Sequence, residues 1–264
     1  MIIAKSEKEL EKMRAVGELI AGVREALRAM IVPGVTTLEL NAAAEKMIRD
    51  AGAIPTFIGY HGFPFAICAS VNDEIVHGFS TDKPLKEGDI LSIDMAATFD
   101  GFVGDTATTV PVGKITEELA QLIKVTEECL ERAIAACVPG NRLGDVGWAV
   151  QEHAEKFGYG IVRDYTGHGI GRAMHEDPSI PNYGRPGTRD KIRAGYCFAI
   201  EPMLNIGSHE TRTLSDGWTV VTVDGKPSAH AEHSIAVTAE GPEILTLTAE
   251  QKRNIVKNGT SSMA

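Results

Sequence analysis

Val32-Pro33-Gly34 and Val138-Pro139-Gly140 stand 106 positions apart, each between two stretches of helical periodicity, and Gly52 and Gly158 repeat the interval at the close of the second stretch. The strand-like segments echo each other too. L-K-E-G-D-I-L-S-I-D, from Leu85 to Asp94, aligns at an offset of 107 with I-R-A-G-Y-C-F-A-I-E, from Ile192 to Glu201. Self-similarity in one order at nearly equal intervals predicts a duplicated half. The expectation is a single domain, residues 1–264, with repeats of approximately 1–115 and 116–248. A site between such halves receives an acid from the same place in each, Asp94 and Glu201.

The helical stretches carry their own start and stop signals. Ser6 with Glu9 and Thr36 with Glu39 form capping boxes, and Leu10, Met13, Val16, Ile20, Val23, Leu27 and Met30 recur at helical spacing. Pro33-Gly34 ends the first helix and Gly52 the second. Thr116 to Val138 reads as helix, stopped by Pro139-Gly140, and a fourth helix runs to about Phe157. Short strands fill the rest through Thr248, so the order is helix, helix, strands, then the same again.

One hairpin can be placed residue by residue. Ile90–Phe99 and Phe102–Val110 read as strands around Asp100-Gly101, a strong two-residue turn signal. With Phe99 opposite Phe102, Asp94 falls opposite Ala107 and Asp105 opposite Ala96. Asp94 and Asp105 then share a face as diagonal neighbours, about 7 Å apart at the backbone. Two carboxylates aimed at one apolar spot repel and lose hydration, which a shared proton or bound cations can offset. Taken alone, such a pair is more often a turn cap or an arginine partner. Glu201 in C-F-A-I-E-P-M-L and Glu232 in A-H-A-E-H-S-I-A-V add two more acids within apolar strand contexts. With His168 they form an oxygen-rich set with one imidazole, suited to one or two divalent ions such as Mn, Fe, Co or Zn.

His168 and His175 lie in T-G-H-G-I-G-R-A-M-H-E-D-P, Thr166 to Pro178. The glycines give G-x-G-x-G rather than the dinucleotide spacing, and no periodic helix follows, so they let backbone pack closely around His168. A formal net charge of −10, from 26 basic and 36 acidic residues, disfavours nucleic acid. Four cysteines without a C-x-x-C pair, an N-terminus lacking a signal-peptide core and the absence of an 18-residue apolar run predict a cytoplasmic protein with free thiols and no membrane span.

Y-T-G-H-G-I-G with H-E-D-P, S-I-D and G-D-T, A-I-E-P-M, and A-E-H-S-I resemble, in order and spacing over nearly the whole chain, the motifs of the type I methionine aminopeptidases. The resemblance implies an α+β pita-bread fold: two pseudo-symmetric αβ halves with a central antiparallel sheet and flanking helices. It implies that Asp94, Asp105, His168, Glu201 and Glu232 ligate two divalent ions, Asp105 and Glu232 bridging, and that a water or hydroxide between the ions hydrolyses the peptide. Glu201 would shuttle the proton, His175 stabilise the tetrahedral intermediate and His77, in E-I-V-H-G, contact the scissile amide. Phe57, Tyr60, Phe63, Cys68, Met174 and Trp218 would form the methionine pocket, with Phe57 and Met174 near its rim. His61, His153, His209, His230 and His233 keep a structural reading, His233 with a supporting place beside a ligand.

The substrates implied are nascent polypeptides with N-terminal methionine and a small second residue, met through transient ribosome contact by a monomer that binds neither DNA nor membrane. Two other readings stay open. Proline-type aminopeptidases of the same fold usually carry a large extra N-terminal domain, whereas this chain starts on its first catalytic helix. Non-catalytic pita-bread binding proteins typically lose ligands. Type II relatives carry a helical insertion where only 25 residues separate His175 from Glu201.

Overall fold

Ser6 begins the first helix by giving both its backbone N–H and its hydroxyl to the Glu9 carboxylate, at 2.9 and 2.8 Å. Thr36 does the same with Glu39 and accepts the Glu39 N–H in return at 3.2 Å. These contacts satisfy donors that the first turn of a helix leaves free. The computed structural model describes residues 1–254, so residues 255–264 of the single-domain reading lie outside the described residues.

Helices α1 (Glu7–Met30) and α2 (Thr37–Asp50) lead into strands β1 (Ile54–Pro55), β2 (Ile67–Val71), β3 (Glu74–Val76), β4 (Ile90–Phe99) and β5 (Phe102–Pro111). Helices α3 (Glu117–Ala136) and α4 (Leu143–Ala154) follow. The later strands are β6 (Gly160–Ile161), β7 (Gly167–Gly169), β8 (Glu176–Ile180), β9 (Cys197–Ile200), β10 (Met203–Asn205), β11 (Thr211–Thr213), β12 (Val220–Thr222), β13 (Ser228–His230), β14 (Glu232–Val237) and β15 (Pro242–Ile244).

The main sheet runs β1-β4-β5-β14-β9-β7-β8, with β2 added on β4 and β15 on β14. Its pairings are antiparallel throughout. Two small three-stranded sheets, β13-β10-β6 and β11-β12-β3, complete the strand set of the described residues. Helix α1 packs on β4 and β5, while α3 packs on α4, β13 and β10. Two apolar cores result. One joins Met13, Val16 and Ile20 of α1 to Leu40 and Ile48 of α2 and to Leu91, Ile93 and Phe102 of the hairpin. The other joins Leu122 and Val125 of α3 to Val150 of α4 and to Phe198, Ile200 and Ile235 of the sheet. Strands covered on one face by helices bury apolar residues there, which leaves the opposite face of the sheet for the acids.

The hairpin register follows the sequence expectation residue for residue, with Phe99 opposite Phe102, Asp94 opposite Ala107 and Asp105 opposite Ala96. Asp100 and Gly101 hold φ of 49° and 78°, the left-handed pair that a tight turn between right-twisted strands requires. No helix of the described residues is long and apolar enough to cross a membrane, and all four cysteines are buried free thiols.

Candidate metal centre

Five neighbouring strands of the main sheet each deliver one side chain to a common place. Asp94 comes from β4, Asp105 from β5, Glu232 from the start of β14, Glu201 from just beyond β9 and His168 from β7. The register explains why they share a face. Ala107 lies opposite both Asp94 and Glu232, and Asp105 is two residues from it. Ala199 lies opposite both His168 and Ser234; Glu201 is two residues from Ala199 and Glu232 two from Ser234, which places both on that same side.

His168 Nε2 lies 3.7 Å from Asp105 Oδ2 and 3.5 Å from Glu201 Oε1. The ligating atoms of Asp105, His168 and Glu232 fall within 4.8 Å of one another. His168 Nδ1 donates to the Gly169 carbonyl at 2.9 Å. A carbonyl only accepts, so this bond leaves Nε2 with its lone pair toward the acids, the arrangement in which imidazole binds metal. The flanking glycines make the close strand packing possible. A Cβ at Gly167 would stand 2.5 Å from the Ala199 carbonyl oxygen, and one at Gly169 would stand 2.1 Å from that of Asp177.

The acids want a cation. Asp94 Oδ1, Asp105 Oδ1 and Glu232 Oε1 are buried without a hydrogen-bond partner. Among the described residues no lysine or arginine pairs with any of the four acids, and His168 is the basic group beside Asp105 and Glu201. Buried oxygens left unpaired carry a desolvation penalty of about 1–3 kcal/mol each, more when charged, and a divalent ion removes it. The donor set therefore fits divalent metal.

Burial pushes Asp94, Glu201 and Glu232 well above the ordinary carboxylate range, and the neighbouring acids add to the rise. Burial also raises Asp105, against hydrogen bonds from Glu232, the Thr106 backbone and Asp94 that pull it down. A raised carboxyl pKa means that the folded chain keeps its proton longer than the unfolded one. That stability is present below the unfolded value near 4 and lost as pH rises through the folded value. The buried histidines act in the opposite sense. Burial lowers His77 and His168 to about 4 and His230 and His233 to about 3, so their contribution is present above about 6.5 and lost as pH falls. From about pH 6.5 to 8 the acids dominate. The melting temperature of the metal-free protein is expected to fall across that window, and saturating Mn(II) should flatten the slope. Scanning calorimetry in chelator and in metal checks this; a flat metal-free profile would show that the acids are not held protonated.

The acids form the floor of a cavity of about 250 Å³ whose walls include Phe57, Tyr60, Phe63, Cys68, His77, Met174, His175 and Trp218. Every site residue expected from the sequence lines it. His77 holds φ of 59° and is wedged edge-on between Tyr165 and Trp218, with ring centroids 5.5 and 6.2 Å away. Tyr60 Oη meets His175 Nδ1 at 2.6 Å, and the His175 ring centroid lies 4.3 Å from that of His168. Burial, then the nearby His61, lowers the His175 pKa. Cys68 pairs across the strands with Asp94, and burial holds its thiol protonated.

Two expectations change in detail. Phe57 and Met174 are not rim residues: both are buried, Phe57 standing edge-on to Phe63 at 6.2 Å within the core under α1. His61, given a structural reading, lines the cavity, as do Tyr165 and Thr166. His61 adjoins Tyr60 in Y-H-G-F-P, and Tyr165 and Thr166 lie three and two residues before His168 in Y-T-G-H-G, and that closeness was the available signal. What turns the His61 ring inward is a left-handed backbone, φ 48°, which the sequence does not announce.

Residues 11–239 match the family described as Metallopeptidase family M24. The chain belongs to that family. Among its relatives, the methionine aminopeptidase of Clostridium acetobutylicum is 49% identical over 94% of this chain and 99% of its own length. Methionine aminopeptidase 1 of Bacillus subtilis is 48% identical over 93% and 99%. The crystal structure of methionine aminopeptidase from Rickettsia prowazekii superposes with a TM-score of 0.92 at 46% identity, covering 94% of this chain and all of that one. This M24 member thus has the pita-bread fold of the methionine aminopeptidases, an α+β arrangement of antiparallel sheet and flanking helices, and its acid cluster is a divalent-metal site of a metallopeptidase.

Proposed function

We propose that this M24 metallopeptidase is a type I methionine aminopeptidase that removes the N-terminal methionine of nascent proteins and peptides whose second residue is small. The observation that carries the reading is the delivery of four acids and one imidazole by five adjacent strands, with three unpartnered buried oxygens, onto the floor of an apolar cavity. Asp94, Asp105, His168, Glu201 and Glu232 would hold two divalent ions, Asp105 and Glu232 shared between them, and Co, Mn, Fe and Zn all suit the donors. When bound, the ions polarise the scissile carbonyl and acidify water enough to supply hydroxide near neutral pH.

The protein's own groups do the rest. Glu201, held 3.5 Å from His168 Nε2 at the acid cluster, takes a proton from the attacking water and passes it to the leaving amine. His175 is neutral at pH 7, and a Tyr60 hydroxyl donating to Nδ1 leaves the proton on Nε2, free to donate to the developing oxyanion. His77, held by Tyr165 and Trp218, contacts the scissile amide. Phe57, Phe63, Cys68, Met174 and Trp218 enclose the methionine side chain, Met174 adapting its rotamers around the substrate thioether.

The reading extends to the surroundings: a single catalytic domain built from two duplicated halves, working as a cytoplasmic monomer that meets emerging chains by transient contact with ribosomes. It is tested with peptides and Mn(II). Met-Gly, Met-Ala and Met-Ser peptides are expected to be cleaved, and Met-Leu and Met-Lys at least about 10-fold more slowly, because a 250 Å³ cavity filled by methionine leaves little space beyond it. Equal rates on Met-Ala and Met-Leu would remove the small-residue preference, and no cleavage of Met-Ala across the four metals would remove the activity. A preference for peptides with proline second would favour the proline-type alternative.

A further inference from the structure

The segment ahead of α1 reaches the turn that carries His175. Lys5 is buried; its N–H donates to the Gly195 carbonyl at 2.7 Å, and its ammonium donates to Glu176 Oε2 at 2.5 Å and to the Ile3 carbonyl at 3.1 Å. The side chains of this pair are 5% and 15% exposed. Glu176 uses its other oxygen to accept the backbone N–H groups of Arg172, at 2.8 Å, and Ala173, at 3.3 Å. One carboxylate therefore gathers the turn with one oxygen and the lysine with the other.

Two further features make the arrangement specific. A Cβ at Gly171 would stand 2.4 Å from Lys5 Cε and 2.6 Å from Glu176 Oε1, so the last glycine of G-H-G-I-G clears the path of the ammonium. The Gly171 carbonyl also accepts the Val103 N–H at 2.8 Å, which ties the turn to β5, the strand of Asp105. His175 leaves the turn immediately before Glu176 and stands against His168 and Tyr60.

We propose that the Lys5–Glu176 ion pair is a positioning device for the reaction: it locks the 171–176 turn so that His175 stands over the acid cluster at the height where the oxyanion forms. Lys5 and Glu176 are positioning residues, not catalytic ones, since neither lines the cavity. The inference rests on the reading above that His175 acts on the scissile carbonyl. Charge-assisted bonds suit this task because they are short and directional, whereas apolar contact would leave the turn free to slide. A displacement of about 1 Å at a reacting centre lowers rates by about 100-fold.

The test uses the full chain, Mn(II) and a Met-Ala-Ser peptide. Lys5→Met is expected to lower kcat by about 10- to 100-fold while KM and Mn(II) affinity, read by calorimetric titration, stay at the wild-type values; Lys5→Arg should recover most of the loss. In the metal-free chain, the His175 ring resonances in 15N–1H spectra are expected to shift in Lys5→Met and return in Lys5→Arg. Should Lys5→Met fold poorly with Glu176 left unpaired, Lys5→Met with Glu176→Gln removes both charges and carries the same expectation. A folded variant with wild-type kcat and unmoved His175 resonances overturns the proposal, as does a loss of Mn(II) affinity that accounts for the whole fall in rate. Failure of the wild-type protein to cleave the peptide would instead overturn the functional reading, and the spectra of the metal-free chain still decide whether the pair positions His175.

Discussion

Asp105→Asn is expected to lower turnover of a Met-Ala-Ser peptide by about 10³-fold or more, equivalent to about 4 kcal/mol of lost transition-state stabilisation, and to lower metal content in the same preparation. Asp105 is the central acid: its strand lies between those of Asp94 and Glu232, and its Oδ2 faces His168. On the proposed two-ion reading, removing its charge would leave the mutual repulsion of the ions uncompensated. The metal-free variant is expected to melt at pH 8 no lower than the wild-type chain, because Asn keeps the shape and removes one of several like charges from a buried place. Elemental analysis, kinetics and calorimetry on one sample check the three outcomes together. Full activity with unchanged metal would take Asp105 out of the site, and a large drop in metal-free stability would show that its role is structural.

His175→Ala is expected to behave differently. Its ring does not approach the acids as the His168 ring does, and its Nδ1 is taken by Tyr60. The variant should therefore keep its metal while kcat falls by about 10²- to 10³-fold, the usual effect of losing one donor to a developing oxyanion. KM for Met-Ala-Ser should change little, since the apolar walls that hold methionine remain. Loss of metal in this variant would make His175 a ligand and move the oxyanion role elsewhere.

Some of this was legible along the chain and some was not. Both capping boxes and the Asp100-Gly101 turn are short-range devices, and each places its neighbours to the residue. The turn pins the hairpin register, and period-two alternation then puts Asp94 and Asp105 on one face. The cavity walls needed the family resemblance, since an aromatic residue in isolation reads as core. Even so, the resemblance set Phe57 and Met174 at the rim, whereas both are buried in the core that includes α1, Phe57 edge-on to Phe63. The inward turn of His61 depends on a backbone conformation that no neighbouring residue type demands.

The sequence by itself determined the helices, the hairpin, the two acids that share its face and the type of chemistry that so many acids with one clean imidazole can support. Tertiary structure decided that β14 inserts between β5 and β9, which brings Glu232 beside Asp105 from 127 positions away, and that Lys5 meets Glu176 across 171. The physical reason is range. Turn geometry, capping and side-chain periodicity act over a few residues and leave their mark in local spacing, whereas strand order and buried ion pairs depend on which distant surfaces exclude water together, and that is settled only when the whole chain packs.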